Sequence, residues 1–412
     1  MIEKVHIKNF KSIYDLDISL GRVNLFIGEN GSGKSNFLEA LVFVSAFQSN
    51  KLDNEFLVSR GLRVPEDNLM KSAFEENNNE NIKVIINDDE YYEFKSSNDN
   101  YSQWIHVSEE KAMKSIKETD QLDNMFRTVL KNNILDNIDK SDYKLSKKTL
   151  KSNEFINNII TTVMNNETFT EKIMKKIETD LILKTRKDLY KDSLENFLIY
   201  SPENTALRTF EEEGQIQPLG INGEGLLKLL KVVNNYEDKS YINTIIESLK
   251  LFDWFQDITI PESLSFGEDK IVITDRYLSN TIDQRSTNEG FLFILFYITL
   301  IVAKETPKAF AIDNIDASLN PKLCTKLMSI ICDLAKKYNK QVFLTTHNPA
   351  ILDGIDLNDN EQKLFVVSRN KLGHTRMKNI TLKDKPKSSD DEPLKLSEAF
   401  LRGYLGGLPK GF

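Results

Sequence analysis

The stretch Gly28-Glu29-Asn30-Gly31-Ser32-Gly33-Lys34-Ser35 constrains this chain more than any other. It has the spacing of a phosphate loop, a glycine followed after four residues by Gly-Lys-Ser, and it follows the β-like run Val23-Asn24-Leu25-Phe26-Ile27. The glycines let the backbone curl so that the N–H groups of Asn30, Gly31, Ser32 and Gly33 point at phosphate oxygens. A helix opening near Lys34 and carrying Phe37, Leu38, Leu41, Val42 and Val44 turns its positive dipole end to the same anions. Lys34 then reaches the β- and γ-phosphates, Ser35 offers its hydroxyl to a magnesium ion, and Asn36 closes the nucleotide-contacting run. A glycine-rich turn with an incidental Lys-Ser fits neither flank. The cofactors expected are ATP and Mg2+.

The 412 residues, 40% of them hydrophobic, can bury a large core divided into two or three lobes. A formal net charge of -8 excludes a protein that coats nucleic acid through its overall charge, so any DNA contact must be local. Cys324 and Cys332 are the only cysteines and share one predicted helix, which suits a reducing cytosol and excludes a four-ligand Cys/His zinc site. The opening Met1-Ile2-Glu3-Lys4 reads as folded structure rather than as a leader. The longest apolar stretch, Phe291 to Ala303, falls short of the roughly 20 residues that cross a bilayer. It is expected to be a buried helix, in a cytoplasmic protein with no membrane partner.

Val5 and Ile7, then Leu16, Ile18 and Leu20, alternate with polar residues and predict two half-buried strands before the phosphate loop. In the turn between them, Phe10 and Lys11 either approach the nucleotide or are a core ring beside a solvated lysine. Residues 51–81 read as a polar, irregular surface excursion. Ile82 to Ile86 and Tyr91 to Phe94, around Asn87-Asp88-Asp89-Glu90, read as a hairpin. From Ser108 the pattern changes to Lys, Glu, Asn and Asp with apolar residues at helical spacing, such as Leu122, Met125, Phe126, Val129 and Leu130. The polar break from Asp139 to Ser152 can turn this segment back on itself. Its Lys140, Lys144, Lys147 and Lys148 are either a solvated face or a nucleic-acid contact. Strand character returns at Leu198-Ile199-Tyr200, helices follow from Leu226 and Tyr241, and strands cover Ile258 to Ile260 and Lys270 to Thr274. The organisation expected is an N-terminal lobe (1–107), a helical insertion (108–197) acting as arm or partner dock, and a C-terminal lobe (198–412).

The run Ala309-Phe310-Ala311-Ile312 is a buried strand ending in Asp313, the carboxylate position that holds magnesium in phosphate-loop NTPases. Asn320 is a natural N-cap and Pro321 a natural first helical residue for the helix that follows. Another apolar strand, Gln341 to Thr346, ends at His347, where parallel sheets bind their ligands. His347 is therefore placed to sense the γ-phosphate or polarise the attacking water.

As an ordered set, GENGSGKSN, a helical insertion, Thr287-Asn288-Glu289-Gly290-Phe291-Leu292, IDNIDASLNP and TTHNP resemble ABC-type ATPases of the SMC, DNA-repair and OLD kind. The resemblance implies an α/β, ABC-type P-loop ATPase head with two lobes and a helical insertion. It also implies that Asn288, Glu289 and Gly290 act as a signature on the ATP of the opposite protomer, with Asn288 where a serine is usual. Leu319-Asn320 resembles the segment that crosses the dimer interface. Asn314 stands where such ATPases carry a glutamate that orients or deprotonates water, and an amide cannot act as a base. Hydrolysis should then be slow, or rely on Asp316 or His347, or wait for a partner. Gln48, Gln103, Gln215 and Gln217 are candidates for the glutamine with which relatives contact magnesium.

The ending from Leu396 to Pro409 resembles free-standing ATPases of bacterial anti-phage systems, PARIS-like ones among them. The expectation is a homodimer, or higher homo-oligomer, that closes around ATP and switches a separate effector nuclease encoded nearby, with a phage protein as a possible trigger. Two alternatives stand beside it: an SMC-like repair or maintenance ATPase that clamps DNA, and a nonhydrolysing scaffold that holds ATP structurally.

Overall fold

The computed structural model describes residues 1–49, 51–64, 67–74, 80–96, 104–107, 194, 196–209, 218–261, 271–386 and 394–408. Contacts divide the chain into one unit of Met1–Tyr92 with Asp192–Phe412 and a second of Glu93–Lys191. The expected helical insertion lies outside the described residues except for Leu194, Asn196 and Phe197. In the second unit, the end of β5 (Glu90–Ser96) pairs antiparallel with β6 (Trp104–His106), placing Phe94 opposite His106.

The larger unit is built on a six-stranded sheet whose central strand, β3 (Val23–Ile27), is buried at every position. A continuous apolar run suits a strand covered on both faces. It lies parallel between β12 (Gln341–Thr346) and β13 (Gln362–Arg369), and beyond β12 the sheet continues through β11 (Ala309–Ile312) to β7 (Ile199–Tyr200). β14 (Thr375–Ile380) closes the other edge antiparallel to β13. The helix α1 (Lys34–Gln48) is buried from Phe37 to Phe47, and Phe26 packs against both Phe37 and Phe365, with ring centroids 5.1 and 5.0 Å apart.

In a second, antiparallel sheet, β1 (Lys4–Phe10) pairs with β2 (Ile13–Ser19) and with β4 (Ile82–Ile86), and β5 lies beside β4. Asn87 and Asp88 both take left-handed backbone (φ 53° and 64°), the pair of conformations that a tight hairpin requires. A three-stranded sheet of β8 (Phe255–Thr259), β9 (Val272–Asp275) and β10 (Ile282–Asp283) completes the strands among the described residues.

Phe291 to Val302 are the enclosed part of a helix (Glu289–Val302), whose Phe291 ring packs 5.2 to 5.5 Å from those of Trp254, Phe255 and Phe252. Among the described residues, no helix is long and apolar enough to cross a membrane.

The reading of residues 51–81 as an irregular excursion requires correction. Asn54–Ser59 and Asp67–Met70 are short helices, with Leu57, Leu62 and Met70 buried. Single apolar residues spaced by polar ones carry too little periodicity to show this in sequence. Phe10 proves to be a core ring, 6.1 Å from that of Phe43. The strands β13 and β14 have no counterpart among the sequence expectations.

Gln341 ties the N-terminal strand to the central sheet. Its Nε2 donates to the carbonyls of Ile2 and Gly21, both at 2.7 Å, and its Oε1 accepts from the Ile2 N–H at 2.9 Å. Gln341→Leu keeps the volume and orphans these buried groups, so it should lower unfolding free energy by about 3 kcal/mol in urea titration. A loss below about 1 kcal/mol would show that other contacts carry the junction.

Candidate functional site

Three parallel strand ends converge because of their register: Ile27 lies opposite Thr346, and Ile312 opposite Leu344. Gly28, Asp313 and His347 therefore emerge together at the carboxyl edge of the sheet. Gly31 and Gly33 take positive φ (75° and 107°), and Gly33 leads into α1. The need for glycine at position 33 goes beyond room for a ligand: a Cβ there would stand 2.1 Å from Thr375 Oγ1 and 2.9 Å from Ser12 Oγ.

Lys34, the first residue of α1, is almost wholly buried, and its ammonium donates to the carbonyls of Gly28 (2.8 Å) and Glu29 (3.0 Å). Burial pushes its pKa down to about 8, against the opposing pull of Asp313, Asp316 and Glu29. Its Nζ lies 3.5 Å from Nδ1 of His347. Partial desolvation of the ring, and then that ammonium, hold His347 below its ordinary value.

Ser35 Oγ stands 3.3 and 3.4 Å from the two carboxylate oxygens of Asp313. These are hard oxygen donors, and their separation lets both reach one magnesium ion with bonds of about 2.1 Å. Among the described residues no group of three or more His, Cys, Asp or Glu could hold a metal ion, so such an ion would complete its shell from phosphate and water. Thr345 Oγ1 donates to Asp313 and accepts from the Asn314 N–H at 2.9 Å. Asn314 takes a left-handed backbone (φ 54°). The Asp316 carboxylate accepts from Thr346 Oγ1 (2.6 Å) and from the His347 N–H (3.3 Å).

A cavity of about 390 Å³ collects Asn30, Gly31, Ser32, Gly33, Lys34, Ser35 and Asn36 with Asp313, Asn314 and His347. Among the described residues Ser32 Oγ, a buried polar atom, finds no partner, and a Cβ on Gly31 would meet nothing within 4 Å, so the loop retains unused donor capacity and open space. The residues thus fit a magnesium-bound nucleotide. Asn288, Glu289 and Gly290 are not brought into this cavity. Asn288 caps the Glu289–Val302 helix by accepting from the Phe291 N–H (2.9 Å), and Asn288 and Gly290 line a separate cavity of about 620 Å³ with Ser318, Asn320, Lys322 and Lys326.

Sequence reasoning missed three neighbours. Arg369, at the end of β13, donates through Nε to the carbonyl of Gly31 (2.8 Å), and Arg63 lines the same cavity. Arg63 and Lys11 share the buried carboxylate of Glu39, at 2.7 and 2.5 Å, so Lys11 is not a solvated lysine, and it lines an adjoining cavity of about 590 Å³ with Asn36, Arg63 and Arg369. Thr345 is the third. The strand-end rule marks Arg369 once β13 is known, whereas nothing local marks Arg63. Gln48 lies at the far end of α1, about 20 Å along the helix, engaged with Tyr92 OH (2.8 Å) and the Leu194 N–H (3.0 Å). Gln103, Gln215 and Gln217 fall outside the described residues.

Gly33→Ala combines a disfavoured φ with the clash against Thr375 and should cost about 2–3 kcal/mol of stability, visible as a lowered thermal midpoint. In a Thr375→Ala background, which removes both the hydroxyl and the methyl of that clash, Gly33→Ala should cost less than it does in the wild type; an equal cost would mean that the contact with Thr375 adds nothing to the penalty.

A family model described as "AAA domain, putative AbiEii toxin, Type IV TA system" matches residues 23–353, well over half of the chain. The fold is similar to that of an Smc head crystallised with the C-winged helix domain of ScpA, with a TM-score of 0.50 at 14% identity, covering 93% of this chain and 98% of that one. DNA replication and repair protein RecF of Porphyromonas gingivalis is 33% identical over 88 residues, 21% of this chain and 23% of the relative. RecF of Bacillus cytotoxicus is 34% identical over 55 residues, 13% of this chain and 15% of the relative. The chain thus spans less than a quarter of the length of these curated relatives. With its phosphate loop, Asp313 and His347 inside the matched span, the chain belongs to this AAA domain family and has the fold of an ABC-type P-loop ATPase head.

Proposed function

We propose that the chain binds ATP with magnesium in the phosphate-loop cavity and hydrolyses it slowly, as a homodimeric switch for a separate effector, an effector nuclease of anti-phage defence. The observation that carries this reading is Asn314: an amide, held in left-handed backbone beside the Ser35–Asp313 pair, stands where a general base is needed. In this reading Lys34 and the loop N–H groups hold the phosphates, and Ser35 and Asp313 hold the ion, which neutralises phosphate charge when bound. His347 faces the γ-phosphate and Asp316 fixes it or supplies the carboxylate for water. The base extends into an adjoining cavity of about 590 Å³ that includes Asn36, Arg63, Phe74 and Arg369. Asn288, Glu289 and Gly290 serve the nucleotide of a second copy. The family description names a putative toxin of a type IV toxin–antitoxin system, which accords with a role beside a second component; a phage protein as trigger is part of this proposal.

Asn314→Glu tests the slow switch. It should raise ATP turnover by about 10²-fold or more if a water-orienting carboxylate is all the site lacks. Asp316→Asn should abolish turnover, and Asn314→Glu add nothing, if Asp316 already serves as base. Unchanged turnover in both variants would overturn both assignments.

Lys34 gives a pH signature. Anionic phosphates favour its charged form, so binding raises its pKa from about 8 and takes up a proton. Below that pH the lysine is already charged and affinity is flat; affinity falls as the pH rises through about 8, and Lys34→Arg flattens the profile. Calorimetry in buffers of different ionisation enthalpy reads the proton count, and an affinity that stays constant well above the lysine's pKa would sink the assignment.

The identity to RecF, a DNA replication and repair protein, favours a second reading in which the ATP-bound dimer clamps DNA. DNA affinity that requires ATP and falls steeply with salt would select it.

A further inference from the structure

The turn from Asn314 to Leu319 lies between two parts of the molecule that the proposed function uses separately. Toward the phosphate-loop cavity, Asp316 accepts from Thr346 Oγ1 at 2.6 Å and from the His347 N–H at 3.3 Å, and His347 lies 3.5 Å from the Lys34 ammonium. On the other side, Ser318 Oγ donates to Glu289 Oε1 at 2.5 Å, within the range of a charge-assisted hydroxyl–carboxylate bond. The carbonyl of Ser318 also covers Gly290, where a Cβ would stand 3.1 Å from that oxygen. Glu289 opens the helix Glu289–Val302, a place where the helix dipole favours a carboxylate.

The turn is also strained at both ends. Asn314 and Ser318 take left-handed backbone, with φ of 54° and 57°, a region that residues with a side chain enter at a cost. Asparagine tolerates it through local hydrogen bonding, whereas serine has less claim to it, so Ser318 must be held from outside. Within the turn the Leu319 N–H donates to the Asp316 carbonyl (3.2 Å), and from outside it the Ser318 hydroxyl is held by the Glu289 carboxylate. The short segment from Asp316 to Ser318 thus connects the start of one helix to the histidine beside Lys34.

We infer that Glu289 is a positioning residue for its own protomer's site: through Ser318 it holds the 314–319 turn, and through Asp316 that turn holds His347. Glu289 then acts in cis, and the helix start that faces a second copy is mechanically connected to the histidine at the chain's own nucleotide. Anything that draws Glu289 away, including a second protomer pressing on Asn288 and Gly290, frees Ser318 to leave its left-handed conformation and loosens His347. The consequence for turnover rests on the reading of the phosphate-loop cavity as the nucleotide site; the structural connection does not.

Two measurements on the full chain separate these. The first uses no nucleotide: the chain has four histidines, and the ring resonances of His347 can be followed in histidine-labelled protein alongside those of His6 and His374. Glu289→Ala and Ser318→Ala should each displace the His347 resonance and its titration while His6 and His374 stay in place, and the double variant should displace it no further. Glu289→Gln keeps an acceptor for the Ser318 hydroxyl and should restore the wild-type position. The second is ATP turnover: each single variant should lower kcat by about two- to ten-fold, the worth of one such hydrogen bond, with KM little changed and no added loss in the double variant. An unmoved His347 resonance, equal movement of all histidines, or additive losses in the double variant would overturn the inference. A displaced resonance in a chain that neither binds nor turns over ATP would leave the connection standing and reject the nucleotide reading instead.

Discussion

The register of β11, β12 and β3 is the constraint on which the site depends. Side chains along a strand alternate between faces, so a slip of one residue would exchange Thr345 with a neighbour pointing the other way and move Asp313 out of reach of Ser35. That register is secured by burial on both faces. Leu25, Phe343 and Ile312 are wholly enclosed, and the aromatic contacts of Phe26 with Phe37 and Phe365 lock α1 and β13 to the central strand. The chemistry of the loop is thus positioned by hydrophobic packing on either side of the sheet.

Charge burial is the cost of this arrangement, and the structure manages it by sharing. Lys34 keeps its ammonium on two loop carbonyls, and Glu39 divides its enclosed carboxylate between Lys11 and Arg63. The desolvation that lowers Lys34 and His347 is the same enclosure that strengthens electrostatic interactions with any phosphate that enters. Thr345 plays a comparable part with neutral groups, since one hydroxyl satisfies both the Asp313 carboxylate and the Asn314 backbone. A site so connected responds as a unit.

The residues after His347 show how tertiary context alters meaning. Read alone, Gln362 to Arg369 is a short run with four apolar residues, and length and periodicity cannot separate a buried strand from a piece of helix. Laid parallel to β3, it becomes a central strand whose last residue, Arg369, grips the carbonyl of Gly31. Gly33 acquires a second constraint in the same way, because β14 brings Thr375 against it. Neither fact has a local signal.

What the sequence determined by itself is the phosphate loop, the carboxylate at Asp313, the histidine at His347 and the cap Asn320. Each of these follows from a spacing of a few residues or from a polar residue ending a strong apolar run, and such signals are local. The tertiary structure alone decided that Glu39 joins Lys11 to Arg63, that Asp316 is tied to Thr346 and His347, and that Ser318 reaches Glu289. These are pairings of common polar residues separated by roughly 25 to 30 positions in the chain, and each is fixed only when the fold brings its two partners within reach.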